Sequence, residues 1–162
     1  MDRLSHVALD PAIQSVLDQQ QAQRLPSLFE LPIAQARERI RLASEAARHR
    51  LGAPAVASAE DLLAVDAGHT VPVRVYRPRA TPLPCATLVF FHGGGFALGS
   101  VDAADTLCRR LCLALDAVVV SAEYRLAPEH PFPAAHDDAL AVGRWALRQA
   151  AHLGGDAGRV VI

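Results

Sequence analysis

His92-Gly93-Gly94-Gly95 is the stretch of this chain whose residue types and spacing are best suited to chemistry. Glycine reaches backbone conformations closed to other residues, so consecutive N–H groups can converge on one point with no side chains in the way. Such a cluster binds developing negative charge. Acyl transfer needs this for its tetrahedral oxyanion, and each well-placed donor contributes about 2.7–4 kcal/mol to the transition state. The four residues follow Leu88 to Phe91, an unbroken apolar run that predicts a strand buried on both faces of a parallel sheet.

Glycine runs also cradle phosphates. Gly94 and Gly99 give G-x-x-x-x-G, but Ser100-Val101 follow where a P-loop needs Lys and then Ser or Thr. The dinucleotide pattern G-x-G-x-x-G fails as well, because Leu98 stands where the third glycine belongs. A tight structural turn is the plain alternative.

Other groups that could react lie nearby in sequence. Ser100, Asp102 and Asp105 follow His92 closely, and His136, Asp137 and Asp138 adjoin one another. Nucleophilic catalysis needs a serine within hydrogen-bond reach of an imidazole that a carboxylate orients. Nothing in the local pattern exposes Ser100 in that way, and Asp102 and Asp105 read as residues that cap or tie down a helix start. Adjacent positions on a helix point His136, Asp137 and Asp138 in different directions. Cys85, Cys108 and Cys112 are odd in number and lack the C-x-x-C or H-x-x-x-H partners of a zinc site, so they read as small buried hydrophobes.

The elements that must position the glycine run can be traced in order. Asp10-Pro11 forms an N-cap and first helical residue, with Ile13, Val16 and Leu17 on an apolar face. Pro26 and Pro32 interrupt. A second helix is predicted from Ile33 to Leu51, with Ile33, Ala36, Ile40, Ala43, Ala47 and Leu51 on one stripe and Arg37, Glu38, Arg39, Arg41, Glu45, Arg48 and Arg50 on a solvated, charge-paired face. Asp61–Asp66 and Val71–Tyr76 predict two strands joined at Ala67-Gly68-His69, with Pro72 moving the second towards an edge or marking its start. Pro78 to Pro84 reads as a proline-rich link. After the glycines come a helix over about Ala103–Leu115, an apolar strand over Ala117–Ala122, and a helix from Ala134 to about His152. Arg159 to Ile162 opens a further strand that reads as buried. Strand, helix and strand at this spacing predict a parallel βαβ pair.

With 162 residues, 51% of them apolar, and a net charge of −1, the composition is that of an ordinary globular domain. The cations other than histidine are all arginine, which points to compositional bias and not to function. No basic surplus argues for nucleic acid, no apolar run is long enough to span a bilayer, and the first residues lack the apolar core of a secretory signal. A cytoplasmic protein is expected.

Three stretches taken together resemble a known family. They are Val71 to Pro78 (VPVRVYRP), His92 to Phe96 (HGGGF) with Gly99 and Ser100, and Tyr124 to Pro133 (YRLAPEHPFP). In order, spacing and strand context they are similar to the hormone-sensitive-lipase-like branch of the α/β-hydrolases, which includes bacterial carboxylesterases, and a strand running into His-Gly-Gly-Gly is that fold's oxyanion signature. The resemblance implies the N-terminal half of an α/β-hydrolase fold, a mostly parallel sheet with flanking helices. Residues 1–54 would be a helical cap segment, and 55–162 the core up to the nucleophile elbow. It implies that the N–H groups of Gly94 and Gly95 are oxyanion donors, with a third from the residue after the nucleophile. His92 and Gly93 belong to the same motif, His92 bracing the loop and not acting as the base. Glu123, where the family often has Asp, would pin the loop together with Tyr124 and Arg125, an ordinary buried ion pair being the alternative.

No G-x-S-x-G elbow occurs among the 162 residues, so nucleophile, acid and base are all expected beyond Ile162. The resemblance calls for no cofactor or metal. It implies a small-molecule ester as substrate of the full-length enzyme, with this chain inactive alone. The alternative is a truncated, non-catalytic fragment that binds a ligand or a complementary chain. An open apolar strand edge would then invite a homo-oligomer or a complementary C-terminal half.

Overall fold

The computed structural model describes residues 9–22, 26–78 and 84–162. It divides into two compact units, Met1–Pro32 and Ile33–Ile162. The first holds helix α1 (Pro11–Ala22) and a short 3-10 turn, Leu28–Glu30. Asp10 caps α1 as its sequence predicts, its Oδ1 accepting the Ala12 N–H at 2.8 Å. Ser27 and Glu30 form a reciprocal capping box around the 3-10 turn. Most of the proline-rich link expected over Pro78 to Pro84 lies outside the described residues.

The second unit begins with α2 (Ile33–Leu51) and continues through β1 (Ser58–Asp66), β2 (His69–Arg77), β3 (Cys85–Phe91), α3 (Val101–Leu115), β4 (Val118–Ala122), α4 (Ala134–Gln149) and β5 (Gly155–Val161). The strands form one sheet in the order β1-β2-β4-β3-β5. β1 with β2 and β2 with β4 are antiparallel, while β3 with β4 and β3 with β5 are parallel. The sheet is therefore mixed, and the predicted parallel character belongs to the half that carries the glycine run. The βαβ unit β3-α3-β4 lies at its centre, as the resemblance implies.

Alternation along the strands sorts the core into two layers. Val73 and Val75 of β2, Val89 of β3, and Val118 and Val120 of β4 pack with Val142, Trp145 and Ala146 of α4. Tyr76 and Val119 point the other way, against Ala104, Cys108 and Cys112 of α3. Cys108 and Cys112 are fully buried, which agrees with their reading as small apolar side chains. Burial raises both thiols to about 11.

Two strand expectations change. β2 is interior, between β1 and β4, and Pro72 lies well inside it. Proline is tolerated there because the ladder to β4 starts only at Val73, and the Pro72 carbonyl accepts the Glu123 N–H at 2.9 Å just beyond β4. β5 begins at Gly155 and not near Arg159, and it is largely exposed as the sheet's last strand among the described residues. Its early start depends on glycine, because a Cβ on Gly155 would meet Thr87 Oγ1 only 2.1 Å away.

Candidate functional site

β3 and β4 end side by side, with Phe91 opposite Ala122. The glycine loop leaves from one strand end and the Glu123-Tyr124-Arg125 segment from the other, so two distant motifs meet because the strands are parallel neighbours.

The loop is a tight reverse turn closed on Gly94, whose carbonyl accepts the Ala97 and Leu98 N–H groups at 3.2 and 3.0 Å. Gly94 has φ +135°, and a Cβ there would sit 2.1 Å from the Leu98 carbonyl oxygen, so only glycine fits. Gly95 and Phe96 both follow at φ 61°. Gly93, Gly94 and Gly95 are exposed. Among the described residues none accepts a hydrogen bond from their N–H groups. Exposed, unpaired amide donors on a fixed turn can receive an anionic oxygen.

His92 is buried beneath this turn. Its Nδ1 lies 3.0 Å from the Gly93 carbonyl. A carbonyl oxygen only accepts, so this contact is a hydrogen bond in the tautomer with the proton on Nδ1. The ring stacks on Tyr124 with centroids 4.4 Å apart, and the Tyr124 hydroxyl donates to the His92 carbonyl at 2.7 Å. Burial, and after it the nearby Glu123 charge, holds the Tyr124 phenol above its ordinary pKa, so it remains a donor. Gly99 closes the bracket, since a Cβ there would meet His92 Nδ1 at 2.4 Å. The imidazole is thus enclosed between the glycine turn and the Tyr124 ring.

The three residues after β4 do different things. The Glu123 carboxylate accepts the Val101 N–H at 2.6 Å, placing negative charge at the start of α3, where the helix dipole favours it. Tyr124 holds the glycine loop, as above. Arg125 turns away from the loop, donating from Nε and Nη2 to Asp138 of α4 while its N–H donates to Asp138 Oδ2 at 2.9 Å. Burial alone would raise the Asp138 pKa, but these bonds outweigh it and hold the carboxyl below its ordinary value.

The remaining candidates form no triad. Ser100 caps α3, accepting the Ala103 N–H at 3.1 Å. Asp102 is exposed and pairs with Arg74. Asp105 is buried, where it accepts from Tyr76 Oη at 3.0 Å and Arg109 Nε at 2.8 Å. His136 stacks on Phe96 of the loop at 5.5 Å and meets the edge of Phe132 at 5.0 Å. Asp137 is exposed beside it.

One residue at the site was hidden among the charged positions of α2. Arg37 donates from Nε to the Ala97 carbonyl at 2.9 Å and from Nη2 to the Ala127 carbonyl at 2.8 Å, and it forms a two-pronged pair with Glu129. A cleft of roughly 460 Å³ opens beside it, bordered by Ile40, Gly99, Ser100, Glu123 and Leu126. No described helix is long and apolar enough to cross a membrane.

A family profile described as the alpha/beta hydrolase fold matches residues 88–162, from the central strand through the glycine loop to the last strand. The matched segment, just under half of the chain, has the α/β-hydrolase fold. Its relatives include the carboxylesterase NlhH of Mycobacterium tuberculosis, 46% identical over 92 residues that make up 57% of this chain and 29% of that protein. The ethyl acetate hydrolase of Pseudomonas putida is 47% identical over 97 residues, 59% of this chain and 30% of that one. Among solved structures, a hyperthermophilic esterase from Pyrobaculum calidifontis superimposes with a TM-score of 0.85 at 37% identity, covering 96% of this chain and 49% of its own. The chain thus spans about half the length of that structure, and its matched segments under a third of the curated relatives. The resemblance to hydrolases of the carboxylesterase kind holds at this level.

Proposed function

We propose that this chain forms the oxyanion-binding half of a serine carboxylesterase. The observation that carries the reading is the fixed turn at Gly94 and Gly95, which presents exposed N–H groups with no acceptor among the described residues. The N–H groups of Gly94 and Gly95 would hold the anionic oxygen of the tetrahedral intermediate, each contributing about 2.7–4 kcal/mol of transition-state stabilisation. A third donor would come from the residue after a serine on a nucleophile elbow, a motif not found among these 162 residues. The cleft between α2 and the loop is wide enough to take part of a small ester.

The test is hydrolysis of p-nitrophenyl butyrate, with intact mass recorded on the same sample. The 162-residue protein is expected to show no turnover, and a longer product of the same reading frame carrying G-x-S-x-G is expected to hydrolyse the ester. Turnover at the 162-residue mass would overturn the assignment of the nucleophile elsewhere. A reading frame without an elbow would overturn the esterase reading in favour of a ligand-binding or partner-binding fragment.

A further inference from the structure

The glycine loop is held from three sides, and two of the three are readily traced to motif residues. Tyr124 fixes the His92 carbonyl, and the Ala127 N–H fixes the Phe96 carbonyl at 2.8 Å. The third hold comes from a helix remote in sequence. Arg37 on α2 reaches the Ala97 carbonyl through Nε, while Nη2 reaches the Ala127 carbonyl and both terminal nitrogens engage the Glu129 carboxylate at 2.8 Å.

The geometry matters more than the charge. Ala97 is the residue whose N–H closes the turn on the Gly94 carbonyl, so a bond to its carbonyl fixes the orientation of the next peptide in the turn. The Ala127 carbonyl belongs to the residue whose N–H already holds Phe96, so one guanidinium ties both strands of that contact together. A planar fork with donors spread over three nitrogens reaches these three separate groups at once, whereas a lysine ammonium gathers its three donors on one atom at the end of a flexible stem. Glu129 completes the arrangement by fixing the fork, and the bond to Arg37 holds its carboxyl well below the usual range, at about 2, so the pair stays ionised at any ordinary pH.

From this arrangement we infer that Arg37 is the positioning residue of the oxyanion loop, setting the direction of the Gly94 and Gly95 N–H groups through Ala97 and coupling α2 to that loop. This rests on the oxyanion reading of the glycines for its catalytic meaning, but the clamp itself is measurable without turnover.

Amide hydrogen exchange by NMR on the 162-residue protein reads it directly, because the Ala97, Leu98 and Ala127 N–H groups are hydrogen-bonded reporters within the clamped region. Arg37→Ala and Arg37→Lys should both raise exchange at these three amides by roughly tenfold or more, the factor that fits loss of a charge-assisted hydrogen bond to the loop, with β3 and β4 amides unchanged. Glu129→Gln keeps both backbone bonds and should change them less, and it serves as the readout if Arg37→Ala fails to fold. Native-like protection in Arg37→Lys would overturn the inference, since charge and packing alone would then suffice. An equal rise in β3 and β4 would overturn it too, by showing general destabilisation. A localised rise in a protein whose longer form hydrolyses no ester would refute the proposed function and leave the clamp standing.

Discussion

Gly94→Ala should open the glycine loop while leaving the sheet intact. The turn cannot keep its shape around a Cβ that sits 2.1 Å from the Leu98 carbonyl oxygen and 2.5 Å from its carbon, because backbone has no rotamer to move aside. Keeping φ at +135° would itself cost an alanine about 1–3 kcal/mol. The cheaper route is to release the Ala97 and Leu98 N–H groups from the Gly94 carbonyl, at about 0.5–1.5 kcal/mol each. Disturbed contacts to Phe96 and Ala97 bring the local cost to roughly 3 kcal/mol, which corresponds to about a hundredfold faster amide exchange at Ala97 and Leu98. Gly95→Ala is the matched control. Its φ of +61° lies in the left-handed region and a Cβ there meets nothing within 4 Å, so only about 1–2 kcal/mol of local strain is expected and the turn should persist. Exchange measured by NMR beside urea unfolding separates the loop from the fold. Equal effects of the two substitutions, or native protection of Ala97 and Leu98 in Gly94→Ala, would refute the reasoning.

Other consequences can be checked on the same protein. Tyr124→Phe keeps the stack on His92 but strips the buried His92 carbonyl of its donor at 2.7 Å, so thermal unfolding should report a loss of about 1–2 kcal/mol, and an unchanged midpoint would refute it. Asp138→Asn should cost about 1–3 kcal/mol, less than a fully buried pair because the Arg125 side chain is 42% exposed and partly screened. Because the Asp138 carboxyl is held below its ordinary pKa in the folded state, its stabilisation is fully present above the unfolded value of about 3.9 and is lost as pH falls through the lower folded value. Urea midpoints followed down to about pH 3 should therefore fall less steeply in Asp138→Asn than in the native chain.

How far the sequence reaches can be seen at particular residues. Leu88 to Phe91, the glycines and Ala117 to Ala122 announced the βαβ unit, because buried parallel strands leave continuous apolar runs and the turn needs glycine. The neighbouring strand ends then brought Tyr124 to His92, as the order of the motifs required. Arg37 was not legible: on α2 it is one of many arginines and glutamates, and what distinguishes it is the carbonyls of Ala97 and Ala127, 60 and 90 residues away. Asp105 read as a residue that caps or ties down a helix start and Asp138 as one of three helix neighbours pointing in different directions; both are buried beside partners that periodicity does not mark, Tyr76 and Arg125. Arg125 belongs to the same motif as Tyr124 but faces α4, where its partner Asp138 lies on a helix outside that motif. Pro72 misled about β2 because a proline excludes one ladder bond, not a whole interior strand.

The site's two halves hang from adjacent strand ends, Phe91 and Ala122, and are bonded directly to each other. The α3–β4 connection at Asp116 turns at the opposite end of the sheet, with Asp116 itself in the left-handed C-cap conformation. α3 is in this sense a return path, and its far corner carries none of the alignment between the glycine loop and Tyr124. A loop grafted at that corner, or a reporter spliced into it, lengthens the wiring without retuning the instrument at the other end.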